Sequence, residues 1–213
     1  GYKNPVHFLQ DKGYLAKVKN EKLETSIDIK KIFSVAERNS ELKRIKQGHD
    51  LSSTFIKKLS SNEKRINMII EKAIAENKNE KNKIIIFAGS LDSGNYIYKI
   101  LKMENIPCAL VTGETNSLER RKNIELFKDE KSGMNIIINF GVLTTGFDAP
   151  KSNIAIIGRP TQSVTLYSQM VGRVMRGRKS GGNEFCKVVT VKDPLYGFRD
   201  MSESFEYWEE LWD

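Results

Sequence analysis

The sequence predicts an α/β domain built on a mainly parallel sheet with helices on both faces. Three observations carry this expectation. Five short apolar runs lie between residues 84 and 191, and unbroken apolar character is what a strand buried on both faces shows. Segments of helical periodicity separate these runs one by one, which is the βαβ pattern. Glycines and small hydroxyl residues recur just after the runs, at Gly89-Ser90, Thr112-Gly113, Phe140 to Asp148 and Gly158-Arg159. The carboxyl ends of parallel strands are where such sheets bind ligands.

The elements follow in order. Pro5–Leu9 opens a short helix that ends at Gly13, and Tyr14–Val18 reads as a strand at a sheet edge on account of its lysine. Residues 27–60 read as a broken helix, interrupted at Gly48-His49-Asp50, with His49 a loop residue. From Ser61 the pattern is regular. Ser61-Asn62-Glu63-Lys64 starts a helix whose apolar stripe is Ile66, Ile69, Ile70, Ala73 and Ile74. A polar turn over 77–82 leads to the strand Ile84–Phe87. Then come the helix Asp92–Glu104, the strand Cys108–Val111, the helix Ser117–Lys128 and the strand Asn135–Ile138. A short helix is expected over Val142–Thr145, followed by the strand Asn153–Ile157, the helix Gln162–Arg176 and the strand Phe185–Val191. Three regions result: a linker, edge strand and helical segment over 1–60, the α/β domain over 61–192, and an acidic aromatic tail over 193–213.

Charge is unevenly placed. The net charge is +8, but residues 200–213 hold six acids and no base, which leaves +14 on the remainder. A basic body fits an anionic partner. In the tail, Met201, Phe205, Trp208 and Trp212 form one apolar stripe at helical spacing. Packing on its own domain is the expected use of that stripe, and docking of a neighbour is the other reading. The sequence shows no apolar run of membrane-spanning length and no signal peptide, so a cytoplasmic, membrane-free protein is expected. Its start at Gly1 fits a fragment of a longer protein. Cys108 and Cys186 fall inside apolar runs and read as buried free thiols. With only His7 and His49 to add, no metal-ligand spacing is present.

The stretch Leu166 to Gly177 carries the most chemistry. Wound as a helix, it places Gln169, Arg173 and Arg176 in one polar stripe, with Tyr167, Val171, Val174 and Met175 opposite. Gly177 reads as its C-cap. Arginine offers planar, multi-donor hydrogen bonding and a permanent charge, which suits phosphate, and a solvated arginine face that complements the helix dipole is the other reading of the stripe. Yet there is no G-x-x-x-x-G-K-[ST] loop and no G-x-G-x-x-G after the first strand. Asp148, after Gly146 in a strand-end loop, is placed either to accept from a ribose hydroxyl or to cap a turn before Pro150. Phosphate-facing arginines without a phosphate cradle point to a cradle on another domain, with the arginines acting across a cleft.

Four ordered motifs resemble those of superfamily 2 helicases and translocases of the DEAD/DEAH type, in particular their second, C-terminal RecA-like domain. Gln169 to Arg176 matches motif VI, Q-x-x-G-R-x-x-R, and Val142 to Pro150 resembles motif V. Ile84 to Ser90 resembles motif IV, and Val111-Thr112-Gly113 the nucleic-acid-contact motif that follows it. The helix Ser117–Lys128, with Glu119-Arg120-Arg121 near its start, has the same family look. The likeness spans roughly 61–192 and is greatest to restriction-enzyme motor subunits and excision-repair helicases.

The resemblance implies a RecA-like fold, related to P-loop NTPases but without the P-loop. It implies that Arg173 and Arg176 reach the γ-phosphate of ATP, with Arg176 as the arginine finger. Gln169 would position the nucleotide, while Gly146 and Asp148 would line its ribose side. Ser90, Thr112, Gly113 and Thr144 would hold the phosphates of one nucleic-acid strand, DNA being the expected kind. In some relatives a threonine stands eight residues before the motif V aspartate, and here that position is Phe140. ATP and Mg2+ would be held mainly by an N-terminal RecA-like domain of the same protein. A different class of reading is a nucleic-acid-binding or partner-docking module with no part in ATP hydrolysis.

Overall fold

The computed structural model describes residues 5–142, 149–195, 197, 198, 200, 201 and 203. Among them, six parallel strands form one sheet in the order β1-β6-β5-β2-β4-β3. The strands are β1 (Lys17–Glu24), β2 (Ile84–Phe87), β3 (Cys108–Thr112), β4 (Ile136–Phe140), β5 (Ile154–Ile157) and β6 (Phe185–Lys192). The helices are α1 (Pro5–Asp11), α2 (Ile29–Ile32), α3 (Val35–Lys46), α4 (Ser53–Ser60), α5 (Glu63–Asn77), α6 (Leu91–Met103), α7 (Ser117–Lys128) and α8 (Val164–Val171).

The central strands bury every residue of β2 and β5, as their unbroken apolar runs require. Alternate residues face opposite layers. Ile85, Phe87, Ile137 and Ile157 join Phe127 of α7 and Tyr167, Met170 and Val171 of α8 in one core. Ile84, Ile86, Ile136 and Ile154 join Ile66, Ile69, Ile70 and Ala73 of α5 and Ile97 and Leu101 of α6 in the other. The register is tight: Ile84 of β2 lies between Ile136 of β4 and Ile154 of β5.

A third, smaller core accounts for residues 27–60. Ile27, Ile29, Phe33, Leu51, Phe55, Ile56 and Leu59 pack together, with Leu195 and Phe198 against them. Phe33 and Phe55 stack at 3.9 Å. The expected interruption at Gly48-His49-Asp50 separates α3 from α4, and Gly48 adopts φ +84°, which glycine tolerates without strain.

Two expected boundaries are corrected. The edge strand runs over Lys17–Glu24, not Tyr14–Val18, because eight residues of β6 pair with it in register, from Lys17 beside Phe185 to Glu24 beside Lys192. The helix expected over Gln162–Arg176 ends at Val171, for reasons given below. Of the expected helix Val142–Thr145, residues 143–145 lie outside the described residues. Of the tail stripe, Met201 is buried in the α7–α8 core, while Phe205, Trp208 and Trp212 lie outside the described residues.

Candidate functional site

Because all six strands are parallel, their carboxyl ends share one edge of the sheet. Ser90 follows β2 there and is the N-cap of α6. Its hydroxyl accepts from the Ser93 amide at 3.1 Å, and Ser93 Oγ accepts from the Ser90 amide at 3.1 Å, a reciprocal capping box. Ser90 is buried. Gly89, just before it, allows close packing, since a β-carbon at that position would collide with Ser60 Oγ.

Thr112 ends β3 and is also buried. Its hydroxyl accepts from the Glu114 amide at 3.2 Å, and its own amide donates to Thr115 Oγ1 at 2.9 Å. Arg120 of α7 braces this loop, donating one amino group to the carbonyls of Thr112 and Thr115, each at 3.1 Å. Gly113 is exposed, with open space where a side chain would stand. The two hydroxyls therefore fold their own loops, and the surface that faces outward is the backbone around Gly113.

Ser163 is the N-cap of α8. The helix buries Tyr167, Met170 and Val171, and the Tyr167 hydroxyl pairs with Thr190 Oγ1 at 2.7 Å. Gln169 is exposed on the other side. It lines a cavity of about 190 Å3 together with Phe87, Ala88, Asn139, Gly141 and Arg159, at the carboxyl ends of β2, β4 and β5. Two of those residues keep a buried polar atom without a hydrogen-bond partner, Asn139 Oδ1 and Arg159 Nε. In the sequence Arg159 stands out only as a strand-end residue, and Asn139 not at all. Asn139 is hidden inside an apolar run, and its cavity forms only when β4 lies beside β2.

Arg176 does not continue the helical stripe of Gln169 and Arg173. After Val171 the turn tightens: the Arg173 amide donates to the Met170 carbonyl at 3.3 Å and the Val174 amide to the Val171 carbonyl at 3.0 Å. Gly172, not Gly177, is the C-cap. The chain then runs extended, and Arg176 forms an antiparallel bridge with Leu15. The Ala16 amide donates to the Met175 carbonyl at 2.8 Å, and the Gly177 amide donates to the Tyr14 carbonyl at 3.0 Å. From the far side, the Asn183 amide donates to the Arg176 carbonyl at 2.9 Å. These long-range bonds outcompete helix propensity over 172–176. The burial of Tyr167, Val171, Val174 and Met175 agrees with the sequence pattern, while Arg173 and Arg176 are half-buried.

Thr144, Gly146 and Asp148 lie outside the described residues. Phe140, at the end of β4, packs against the α5–α6 core. Among the described residues, no group of three or more His, Cys, Asp or Glu is placed to hold a metal ion, and no helix is long and apolar enough to cross a membrane. Cys108 and Cys186 are free and buried, and burial pushes their thiols up to about 11 and about 12.

Comparison with known proteins places this geometry. Residues 63–178, more than half of the chain, match the helicase conserved C-terminal domain. The chain is 30% identical over 130 residues to the putative ATP-dependent helicase IRC3 of Saccharomyces cerevisiae, covering 60% of this chain and 18% of that protein. It is 29% identical over 135 residues to the putative ATP-dependent RNA helicase MJ1505 of Methanocaldococcus jannaschii, covering 58% of this chain and 17% of that one. It therefore spans less than a fifth of either relative. In fold it is similar to T4 UvsW, with a TM-score of 0.57 at 20% identity over 84% of this chain and 32% of that one. It is also similar to the C-terminal domain of the DEAD-box protein Dbp5, with a TM-score of 0.55 at 18% identity over 69% of this chain and 79% of that one. The chain belongs to the helicase conserved C-terminal domain family, and its fold is the RecA-like one of superfamily 2 helicase C-terminal domains.

Proposed function

We propose that this chain is the second motor domain of an ATP-dependent nucleic-acid helicase or translocase. The observation that carries the proposal is the support given to Gln169, Arg173 and Arg176. Gln169 rides on a helix anchored by Tyr167, Met170 and Val171. Arg176 is held on both sides of its backbone by hydrogen-bonded chain. A docking surface has no need of such a frame. A donor that must meet charge developing on a transferred phosphoryl group does.

In this reading Arg173 and Arg176 face the γ-phosphate of ATP, with Arg176 as the finger and Gln169 aligning the nucleotide. Their half-buried guanidiniums suit polyphosphate, since they only donate and lose little hydration on contact. The P-loop and the carboxylates for Mg2+ belong to an N-terminal RecA-like domain. ATP held there supplies the phosphoryl group and the energy of domain closure. Gly146 and Asp148 are assigned to the ribose side. Ser90, Thr112, Gly113 and Thr144 mark the track of one strand, with Gly113 offering its backbone and Ser90 and Thr112 shaping the loops. DNA is our expected substrate, although relatives named as RNA helicases are among those matched. We also assign the motor domain to 61–192, with 1–60 and 193–213 as additions to it. The small core that residues 27–59 share with Leu195 and Phe198 supports setting those residues apart, whereas β1 joins the motor sheet through β6 and Met201 joins its core.

The isolated chain tests this reading. It should show no Mg2+-dependent ATP turnover above background. It should bind single-stranded nucleic acid of any sequence weakly, with affinity falling steeply with salt because phosphate contacts release counterions. Robust turnover, or binding that is flat between low and moderate salt, would contradict the proposal.

A further inference from the structure

Asp50 lies in the break between α3 and α4, outside the family match. Its carboxylate nevertheless reaches the start of α8. Oδ2 accepts from Thr161 Oγ1 at 2.8 Å, and Oδ1 accepts from the Gln162 amide at 2.5 Å and from the Leu51 amide at 2.8 Å. The bonding continues into the helix. Thr161 Oγ1 accepts from the Ser163 amide at 3.0 Å, and Ser163 Oγ accepts from the Leu166 amide at 3.3 Å. Asp50 thus heads an unbroken series of hydrogen bonds that ends in the first turn of α8.

Asp50 itself stands on firm ground. Leu51 is buried in the small core with Phe33, Phe55 and Leu59. On the other side, Ser52 donates its hydroxyl to the buried Glu41 carboxylate and its amide to the same group at 2.9 Å. Thr161 is buried as well, so its hydroxyl depends on an acceptor that the protein supplies. A carboxylate beside the first turn of a helix also opposes the positive end of the helix dipole.

We infer that Asp50 is a positioning residue for α8: it sets where the helix begins, and so where Gln169 and the turn bearing Arg173 come to lie. The inference rests on the proposed role of those two residues. Because α8 is only eight residues long, roughly 12 Å at its usual rise, a shift at its first turn is carried to its last. The residues added outside the motor core would then act on nucleotide chemistry without touching nucleotide.

The test is nucleic-acid-stimulated ATPase of the full-length protein for D50A, D50N, T161V, T161S and R173K beside wild type, with a thermal melt of each. D50A should lose about 10-fold or more in kcat while KM for ATP changes less than about 2-fold, as misplacement of a transition-state group predicts. D50N keeps the Oδ1 acceptor for the Gln162 and Leu51 amides but loses the acceptor for the Thr161 hydroxyl, so its rate should fall between those of D50A and wild type. T161V should lose several-fold and T161S should not, which carries the test if D50A fails to fold. Folded D50A with wild-type kcat, or T161S as impaired as T161V, would overturn the inference. If R173K loses kcat while folded D50A keeps it, only the inference fails. If R173K keeps its kcat, the reading of the arginines fails and the inference falls with it.

Discussion

Gly182 is packed so closely on Arg176 that a β-carbon on it would lie 2.6 Å from the Arg176 carbonyl carbon and 2.7 Å from Arg176 Cβ. Gly177 meets the opposite stretch in the same way, with a β-carbon there falling 2.7 Å from the carbonyl carbons of Gly13 and Tyr14. Two glycines therefore let three stretches of backbone close around one arginine.

Gly182→Ala should push the Arg176 backbone aside. Forced overpacking of this kind costs about 1–3 kcal/mol, and in a chain of this size each kcal/mol lowers Tm by roughly 2–4 °C. Thermal unfolding of the isolated chain reads this directly. A melt unchanged from wild type would show that the close approach constrains nothing.

Met201 ties the start of the tail to the body. It is buried in the α7–α8 core, and Asp200 before it is ion-paired with Lys192 at 3.0 Å and Lys22 at 3.3 Å. Met201→Ala should cost about 2–5 kcal/mol, as cavity formation at a buried methionine does. Denaturant unfolding measures it. An unchanged midpoint would leave the tail free to serve an outside partner.

Much of the fold was legible in the sequence because it is written in local patterns. The runs Ile84–Phe87 and Ile154–Ile157 announce strands buried on both faces, and α7 occupies the residues its periodicity predicts, Ser117–Lys128. Long-range bonding was not legible. Residues 17–24 alternate polar groups at a half-exposed edge, and only their pairing with β6 makes them a strand. The end of α8 is decided by Tyr14 and Ala16, over 150 residues away in the chain. At the site, the motif letters located Ser90 and Thr112 at strand ends. They could not tell that both hydroxyls are used in the loops that carry them. Asp50 is an ordinary loop residue until the fold brings Thr161 to it.

Glu76 gives the stability a pH dependence. Its Oε1 accepts from Lys72 at 2.7 Å and from Lys187 at 2.6 Å, linking α5 to β6, and Lys72 also reaches Glu21 of β1 at 2.6 Å. Burial pushes the Glu76 carboxyl up, but the bonds from Lys187 and Lys72 outweigh it and hold the group below its ordinary value of 4.5. The unfolded chain therefore binds more protons in the window beneath 4.5, and stability rises with pH there. The contribution is complete above about 4.5 and is lost as pH falls through the folded value. Glu76→Gln should lower stability at pH 7 by about 1–3 kcal/mol and flatten the acid limb of a plot of unfolding free energy against pH. An acid limb as steep as that of the wild type would contradict this.

The central claim is that Arg176 acts on a phosphoryl group in the transition state, and Arg176→Lys in the full-length protein tests it most directly. Both side chains carry one positive charge, so a solvated surface arginine should tolerate the exchange. A finger should not, because a planar fork of donors can meet charge spread over several oxygens and a single ammonium on a flexible stem cannot. The measurement is nucleic-acid-stimulated ATPase at saturating ATP, with ATP affinity determined alongside. Arg176→Lys should lose about 10²-fold or more in kcat, with affinity changed far less. A lysine variant that keeps most of its kcat would contradict it.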